Sequence, residues 1–132
     1  MHVKARVTRN TYTHIRARAR CSASRFGMRE RDIERALVRE VRRAGGEAYK
    51  WVSPGNDGVP DRIVILGGEV IFVELKAETG RLSAVQKLQI DRLRKMGQEV
   101  VVVKGMKSLE EFFLDRGYVR NAERIRDGIH SA

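Results

Sequence analysis

The sequence of 132 residues predicts a single α/β domain with a mixed central β-sheet, and three observations support this prediction. An apolar stripe at helical spacing runs from Ile33 to Val41 and stops at Gly45-Gly46. Two apolar runs flank Gly67-Gly68, a dipeptide that suits the two-residue turn of a β-hairpin. Four consecutive valines at positions 100–103 follow a second helical segment, as expected for a buried strand reached through a crossover helix. We therefore expect helices on both faces of the sheet.

The order of elements follows from periodicity and from turn residues. The predicted elements are a helix at about 29–44, strands at 47–52, 61–66 and 69–76, a helix at 83–96, a strand at 99–104 and a short helix beginning at Ser108. Ser83 and Ser108 are expected to be N-caps. A charged C-terminal segment follows the last predicted helix. Both hairpin strands are apolar on both faces, which is typical of a central pair in a covered sheet.

Composition excludes several classes of protein. The single cysteine, Cys21, cannot form an internal disulfide, and His2, His14 and His130 lie near the ends and form no ligand set. No run of 18 apolar residues is present, so no membrane span is expected, and the basic start lacks the apolar core of a secretory signal. We expect a cytosolic protein, in a bacterial or phage-infected host cell.

The positive charge is concentrated at the start of the chain. Residues 1–27 hold seven basic residues and no acid, whereas residues 28–132 carry a net charge of only +3. We predict a flexible basic tail at 1–27 and a folded domain at 28–132. Such a tail suits a polyanion such as nucleic acid, although a solvated leader upstream of a start at Met28 explains it equally well.

The predicted hairpin brings two carboxylates together. If Gly67-Gly68 forms the turn, the strands pair so that the numbers of opposed residues add to 135. Asp61 then faces Glu74, and Lys76 lies two residues on, on the same face of the strand. Opposed residues have Cβ atoms about 4.5–5.5 Å apart, and like charges at that separation are destabilising. A cation is therefore expected between the two acids.

Hard divalent cations such as Mg²⁺ take oxygen ligands, typically one or two carboxylates with water and phosphate oxygens. Such an ion polarises a phosphoryl oxygen and lowers the pKa of bound water, and Lys76 is placed to orient that water or to offset charge on the phosphate. The alternative is a surface salt-bridge group at a strand end. The apolar residues Val73 and Leu75, which alternate with Glu74 and Lys76, argue against a solvated surface group.

A third acid is expected from the first helix. Glu34 borders the apolar stripe of that helix and is predicted to reach the strand ends, and Glu30, one turn earlier, competes for the same role.

These residues resemble a known family. Gly58-Val-Pro-Asp61, Phe-Val-Glu74-Leu-Lys76-Ala, Leu82-Ser83 and Gln86 are similar to the virus-type replication-repair (VRR-Nuc) nucleases of the PD-(D/E)XK superfamily. The resemblance runs from about Glu30 to Val103 and implies a restriction-endonuclease-like fold. The helix that contains Glu34 is also similar to that of archaeal Holliday junction resolvases.

The resemblance implies a role for each matching residue. Asp61 and Glu74 would bind Mg²⁺ or Mn²⁺ together with the main-chain carbonyl of Leu75, and Lys76 would be the catalytic lysine. Gly58 and Pro60 would shape the chain before the strand.

Further residues would complete the site. Glu34 would be the acid of the first helix, and also a possible metal ligand, and Gln86 would line the site, although spacing alone makes it a capping-box partner of Ser83. Ser53 would contact phosphate, although it is also a common turn residue. Three basic residues flank the motif and are candidate phosphate contacts: Lys50, Arg62 and Arg81.

The implied activity is that of a metal-dependent DNA endonuclease. Stand-alone members of the family resemble enzymes that cut four-way (Holliday) junctions, which implies a homodimer with one site for each of two strands. A flap- or nick-directed nuclease is the alternative enzyme. A non-catalytic DNA-binding module that kept the fold is the alternative from another class, and the intact acids and lysine argue against it.

Overall fold

The computed structural model describes residues 28–131, with the side chains of residues 28–129, and the predicted tail at 1–27 lies outside the described residues. The elements are α1 (Glu30–Arg43), β1 (Glu47–Lys50), β2 (Arg62–Leu66), β3 (Glu69–Lys76), α2 (Ala84–Lys95), β4 (Glu99–Lys104), α3 (Gly105–Asp115) and α4 (Val119–Ser131). None of the described helices is long and apolar enough to cross a membrane.

The four strands form one mixed sheet in the order β1-β2-β3-β4, which confirms the predicted fold class. β1, β2 and β3 pair antiparallel as a meander, and β4 returns parallel to β3 through the crossover helix α2. Leu66 pairs with Glu69, so the predicted register is correct. Gly67 and Gly68 have φ of 58° and 80°, the left-handed values that a type I′ turn requires.

One face of the sheet holds the main core. Ile71, Val73 and Leu75 of β3 are buried there with Val64 and Leu66 of β2. Side chains of α1, α3 and α4 cover this face, among them Leu37, Phe113 and Ile125. The face that we call the core face is therefore closed by three helices.

The opposite face, which we call the α2 face, carries the alternate residues of β3: Val70, Phe72, Glu74 and Lys76. The helix α2 contacts β4 on this side, and Ile90 of α2 and Val100 of β4 are buried. Ile65 and Val70 remain 43% and 48% exposed. The hairpin was predicted to be covered on both faces, and this half-open face departs from that prediction.

α1 forms because its apolar residues recur at helical spacing on the core side. It ends at two glycines: the N–H groups of Gly45 and Gly46 donate to the carbonyls of Arg42 and Val41, and Gly45 has φ of 91°. A Cβ at Gly46 would lie 2.3 Å from the carbonyl oxygen of Ile65. The helix can thus approach β2 only because this residue has no side chain.

The C-terminal part of the chain differs from the prediction. α3 begins at Gly105 rather than at Ser108, because the left-handed Gly105 (φ 85°) turns the chain directly from β4 into the helix. The charged segment beyond it is a further helix, α4. Ala122 and Ile125 are buried at i, i+3 spacing, and this short apolar stripe packs against the core. β1 also ends two residues before the predicted boundary.

A buried polar cluster attaches α4 to α1. Glu40 is fully buried, and its carboxylate accepts hydrogen bonds from Arg43, Asn121 and Arg124 at 3.0, 3.0 and 2.9 Å. The Asn121 amide also donates to the Glu40 carbonyl, at 2.9 Å. A buried charge is tolerated only when it is paired and hydrogen-bonded, and this carboxylate is.

Candidate active site

Asp61 lies at the open end of the hairpin, one residue before β2. Its Oδ2 atom accepts a hydrogen bond from the Leu75 N–H at 2.8 Å, and its main-chain oxygen accepts one from the Trp51 N–H at 3.0 Å. The carboxylate is therefore tied to β3 beside Glu74. The predicted opposition of Asp61 and Glu74 follows the register observed along the rest of the hairpin.

Glu74 is buried in the middle of the sheet, with 1% of its surface exposed, and pairs with Val102 of β4. Its Oε2 atom accepts a hydrogen bond from the Gln86 side-chain amide at 3.1 Å and lies 3.4 Å from Lys76 Nζ. Its Oε1 atom is buried and has no hydrogen-bond partner among the described residues. An orphaned carboxylate oxygen at this depth is costly unless something else binds it.

The pKa of Glu74 is also consistent with a buried carboxylate that has too few hydrogen-bond donors. Burial, as the largest cause, and the negative charge of Asp61 raise this pKa to about 7, although Lys76 offsets part of their effect. Without a compensating cation, the carboxyl is about half protonated near neutral pH. The negative charge of Asp61 therefore disfavours ionisation of Glu74.

α2 presents Gln86 to the site through its N-cap. The Ser83 hydroxyl accepts a hydrogen bond from the Gln86 N–H at 3.1 Å, and Gln86 Oε1 accepts one from the Ser83 N–H at 2.9 Å. This capping box fixes the rotamer of Gln86, which leaves its NH₂ group directed at Glu74. The capping role and the site role of Gln86 are thus compatible, and the same side chain performs both.

Glu34 does not join the acid pair, contrary to the expectation from its spacing. Its carboxylate accepts from Lys50 at 3.0 Å and from Arg62 at 2.8 Å. Arg62 pairs with Val73 and so lies on the core face, whereas Glu74 is on the α2 face. Burial alone would raise the pKa of Glu34, but the bonds from Arg62 and Lys50 outweigh it and lower the pKa below its usual range.

Glu30 is the acid of α1 whose charge reaches the site, since it adds to the rise in the pKa of Glu74. It stands at the first position of α1, one turn before Glu34. Spacing within the helix was compatible with both acids. Only the position of the helix end relative to the sheet distinguishes them.

The remaining predicted residues have other partners or are exposed to solvent. The Ser53 hydroxyl accepts from the Asn56 amide at 3.0 Å and stabilises the loop before Asp61, so it has a turn role in the structure. Lys50 and Arg62 are engaged with Glu34 on the core face. Arg81 is exposed on the segment between β3 and α2.

Gly58 and Pro60 shape this loop, as expected. Gly58 has φ of 85°, and a Cβ there would lie 2.6 Å from Val85 of α2. Pro60 is buried immediately before Asp61. The loop therefore packs closely against the first turn of α2.

The residues fit a hard divalent cation. Asp61 and Glu74 supply carboxylate oxygens, one of which is buried without a partner among the described residues, and the Leu75 carbonyl follows Glu74 directly in the sequence. The described residues contain no group of three or more His, Cys, Asp or Glu side chains placed for a metal. A site with so few protein ligands suits Mg²⁺ or Mn²⁺, since Mg²⁺ keeps several waters and takes one or two carboxylates.

Comparison with known proteins places the chain in a family. The family model described as the VRR-NUC domain matches residues 16–107, which is more than half of the chain. The chain belongs to the VRR-NUC family. It is accordingly a nuclease with the restriction-endonuclease-like fold, as the resemblance implied.

Individual relatives agree with the VRR-NUC assignment. A protein of Acyrthosiphon pisum secondary endosymbiont phage 1, described as "Putative nuclease p44", is 49% identical over 77 residues, which are 58% of this chain and 83% of that protein. A solved VRR_NUC domain is 28% identical with a TM-score of 0.60, over 67% of this chain and 97% of that one. A Holliday junction resolvase, Archaeoglobus fulgidus Hjc, is 26% identical over 55% of this chain and 65% of its own, but its TM-score of 0.43 is too low to support an argument.

Proposed function

We propose that this VRR-NUC protein is a Mg²⁺- or Mn²⁺-dependent DNA endonuclease whose active site is formed by Asp61, Glu74 and Lys76, with Gln86 as a positioning residue. The observation that supports it best is the buried Glu74 carboxylate, which has one oxygen without a partner and a neighbouring acid. A salt-bridge group at a strand end would not leave such an atom unpaired.

The protein residues divide the work. Asp61 Oδ2 is held by the Leu75 N–H, which restricts the orientation of the carboxylate. The bond from Gln86 fixes Glu74 Oε2, so that Oε1 is left for a ligand. A bound divalent cation supplies Lewis acidity to the phosphate and lowers the pKa of a water.

Lys76 is the cationic group of the site that the protein itself supplies. Its side chain is 13% exposed and its ammonium lies 3.4 Å from the Glu74 carboxylate, so the position of the ammonium is restricted by burial and by the ion pair. An ammonium held there donates a hydrogen bond to an attacking water, or to a phosphate oxygen on which negative charge develops. Hydrolysis forms a bond between water oxygen and phosphorus and breaks one P–O ester bond.

Branched DNA is the proposed substrate, cut at a four-way junction by a homodimer. The family resemblance supports this choice, and a two-fold dimer presents two copies of the site to two strands. A flap- or nick-directed activity is the alternative that the same experiment separates.

The test is a cleavage panel over a linear duplex, a 5′-flap and a four-way junction, each with Mg²⁺, Mn²⁺ or chelator. We expect metal-dependent products from the wild type, with symmetric nicks on opposed arms of the junction. Asp61→Asn and Lys76→Met should lose at least about a thousandfold in rate, since such groups act mainly in the transition state.

Asp115→Asn, an exposed acid of α3 remote from the site, is the matched control and should cleave like the wild type. Circular dichroism checks that each variant is folded. Full activity in folded Asp61→Asn, or cleavage that persists in chelator, would refute the assignment.

A further inference from the structure

A second basic surface lies on the other side of the sheet from the acid pair. α1 carries arginines at positions 31, 35, 39 and 42, which is the i, i+4, i+8, i+11 spacing of one helical face. All four are exposed. Together with Arg62 they line a groove of about 500 Å³, completed by Glu34 and Val38. We call this surface the arginine groove.

The groove keeps a net positive charge, because its single acid is paired with two basic residues and two of its arginines have no acidic partner among the described residues. Glu34 is bound to Arg62 and to Lys50. Arg39 is paired with Glu40, and Arg42 with Glu47. No hydrogen bond or ion pair joins Arg31 or Arg35 to another described residue, so both guanidinium groups face solvent with their donors available.

The dimensions of the groove suit the backbone of a nucleic-acid strand. With a rise of about 1.5 Å per residue, the stripe from Arg31 to Arg42 is about 16 Å long. A strand of duplex DNA advances about 3.4 Å per phosphate, so this length corresponds to about five phosphates. Arginine is well suited to the task, since its planar donors match phosphate oxygens in pairs.

The groove cannot hold the same stretch of duplex as the acid pair. Arg62 is directed to the core face, whereas the neighbouring Asp61 is directed with Glu74 to the α2 face. β1 is the edge strand that separates the two sides. DNA bound at both places therefore has to pass around this edge or to consist of two duplex segments.

We infer that the arginine groove binds the phosphate backbone of a second duplex segment of a branched DNA, while the first segment lies at the acid pair. This inference rests on the proposed function and deepens it, since it gives the protein a physical reason to prefer branched over linear DNA. An acidic protein surface is the other partner that such a groove would fit, and the experiment below separates the two.

The test measures equilibrium binding in chelator, where no hydrolysis takes place, as a function of salt concentration. The probes are a four-way junction and a linear duplex made from one of its strands and the full complement of that strand. The variants are Arg31→Gln, Arg35→Gln and the double variant. Arg120→Gln on α4 is the matched control, because it removes the same charge from another exposed helix.

For the junction, the slope of log K against log salt should fall in magnitude by about 1 for each single variant and by about 2 for the double variant. The linear duplex should lose less, because it occupies one side only. Arg120→Gln should behave like the wild type with both probes.

Junction binding by the double variant that equals that of the wild type would overturn the inference, and would leave an acidic protein as the partner to test. An equal loss for junction and linear duplex would also overturn it. Because these readouts involve no cleavage, they are independent of the proposed chemistry. A wild type that binds the junction through the groove and fails to cut it with metal would refute the proposed function alone.

Discussion

At the residue scale, the molecule is dominated by one carboxylate that is buried without enough donors. Glu74 receives bonds from Gln86 and Lys76 at one oxygen and none from the described residues at the other. Its position next to Asp61 makes the metal-free protein less stable than the same fold with a neutral group there. If the proposed function is correct, the site loses stability in exchange for ligand binding, which is common in functional sites.

The pH dependence of stability tests this conflict in protein freed of metal. The pKa of Glu74 is about 7 in the folded chain against 4.5 as its ordinary value. Between these values the folded state binds more protons than the unfolded state, so the free energy of unfolding falls as pH rises from about 4.5 to about 7. Glu74→Gln should remove this loss and be up to about 3 kcal/mol more stable than the wild type at pH 8.

Urea unfolding between pH 4.5 and 8 measures the effect. Glu34→Gln is the informative control, because the lowered pKa of Glu34 means that its ionised form stabilises the folded state. That variant should be less stable than the wild type throughout this range, because the stabilisation from ionised Glu34 is lost only as pH falls below about 4.5. Profiles of wild type and Glu74→Gln that run parallel would contradict the prediction. Added Mg²⁺ or Mn²⁺ should raise the midpoint of the wild type more than that of Glu74→Gln.

The sequence was sufficient for the residues whose positions follow from strand register. The two-residue turn fixes which residues pair across the hairpin, so the relative positions of Asp61, Glu74 and Lys76 were predictable without a tertiary structure. The choice between Glu34 and Glu30 was not, because it depends on where the end of α1 lies relative to the sheet. Local spacing carries no information about that long-range distance.

At the element scale, glycines determine how closely helices and strands can approach each other. Gly46 is located where α1 leads into β1, and a Cβ there would lie 2.3 Å from the Ile65 carbonyl. Gly128 lies in α4 with no atom within 4 Å of the corresponding position. The two residues therefore form a pair in which the same substitution has opposite effects.

Gly46→Ala should destabilise the protein by about 1–3 kcal/mol, because the strand or the helix has to move to admit the methyl group. Gly128→Ala should stabilise it by about 0.5–1 kcal/mol, because alanine loses less backbone entropy in a helix. Thermal or urea unfolding of both variants at one pH gives the comparison. A Gly46→Ala protein as stable as the wild type would show that the helix–sheet contact is not tight.

Helices and strands were predicted correctly where turn or capping residues mark their ends. The prediction failed where tertiary contacts determine whether an element forms or where it begins. Gly45-Gly46, Gly67-Gly68 and Ser83 marked true boundaries. Ser108 resembled an N-cap, but the left-handed Gly105 starts α3 three residues earlier. α4 was missed because its apolar stripe is narrow among many charges, and its helix is stabilised by packing against the core rather than by its own composition.

At the scale of the whole molecule, the first and last described helices are joined through Glu40. This carboxylate is completely buried and accepts bonds from side chains of α1 and α4. Glu40→Ala should destabilise the protein by about 3–5 kcal/mol, because it leaves three arginines and an amide without their carboxylate partner.

Asp91→Ala, which removes the exposed i, i+4 pair with Lys95, is the control and should leave the unfolding midpoint near that of the wild type. Chemical denaturation followed by circular dichroism measures both variants. A small effect of Glu40→Ala would mean that α4 is attached by its apolar contacts alone.

The two proposed functional surfaces lie on opposite sides of the sheet. The α2 face bears the acid pair, and the core-face side bears the arginine groove beside the β1 edge. Composition indicated an affinity for polyanions but gave no indication of two surfaces. The two surfaces can be distinguished only when the strand order is known, because that order shows which side of the sheet each alternate residue faces and which strand lies at the edge.

The two-residue turn of the hairpin sets the strand register, and the register determines which residues of the nuclease motif face each other. Because Asp61 and Glu74 face each other across paired strands, the hairpin tolerates a change of length only when both strands gain or lose the same number of residues. A single residue inserted in β3 would rotate Glu74 to the core face and leave Asp61 alone. The number of residues between the Pro-Asp and Glu-X-Lys halves of the motif therefore depends on the length of the two strands. Because both strands change length together, we expect this number to vary in steps of two among hairpins that keep this turn.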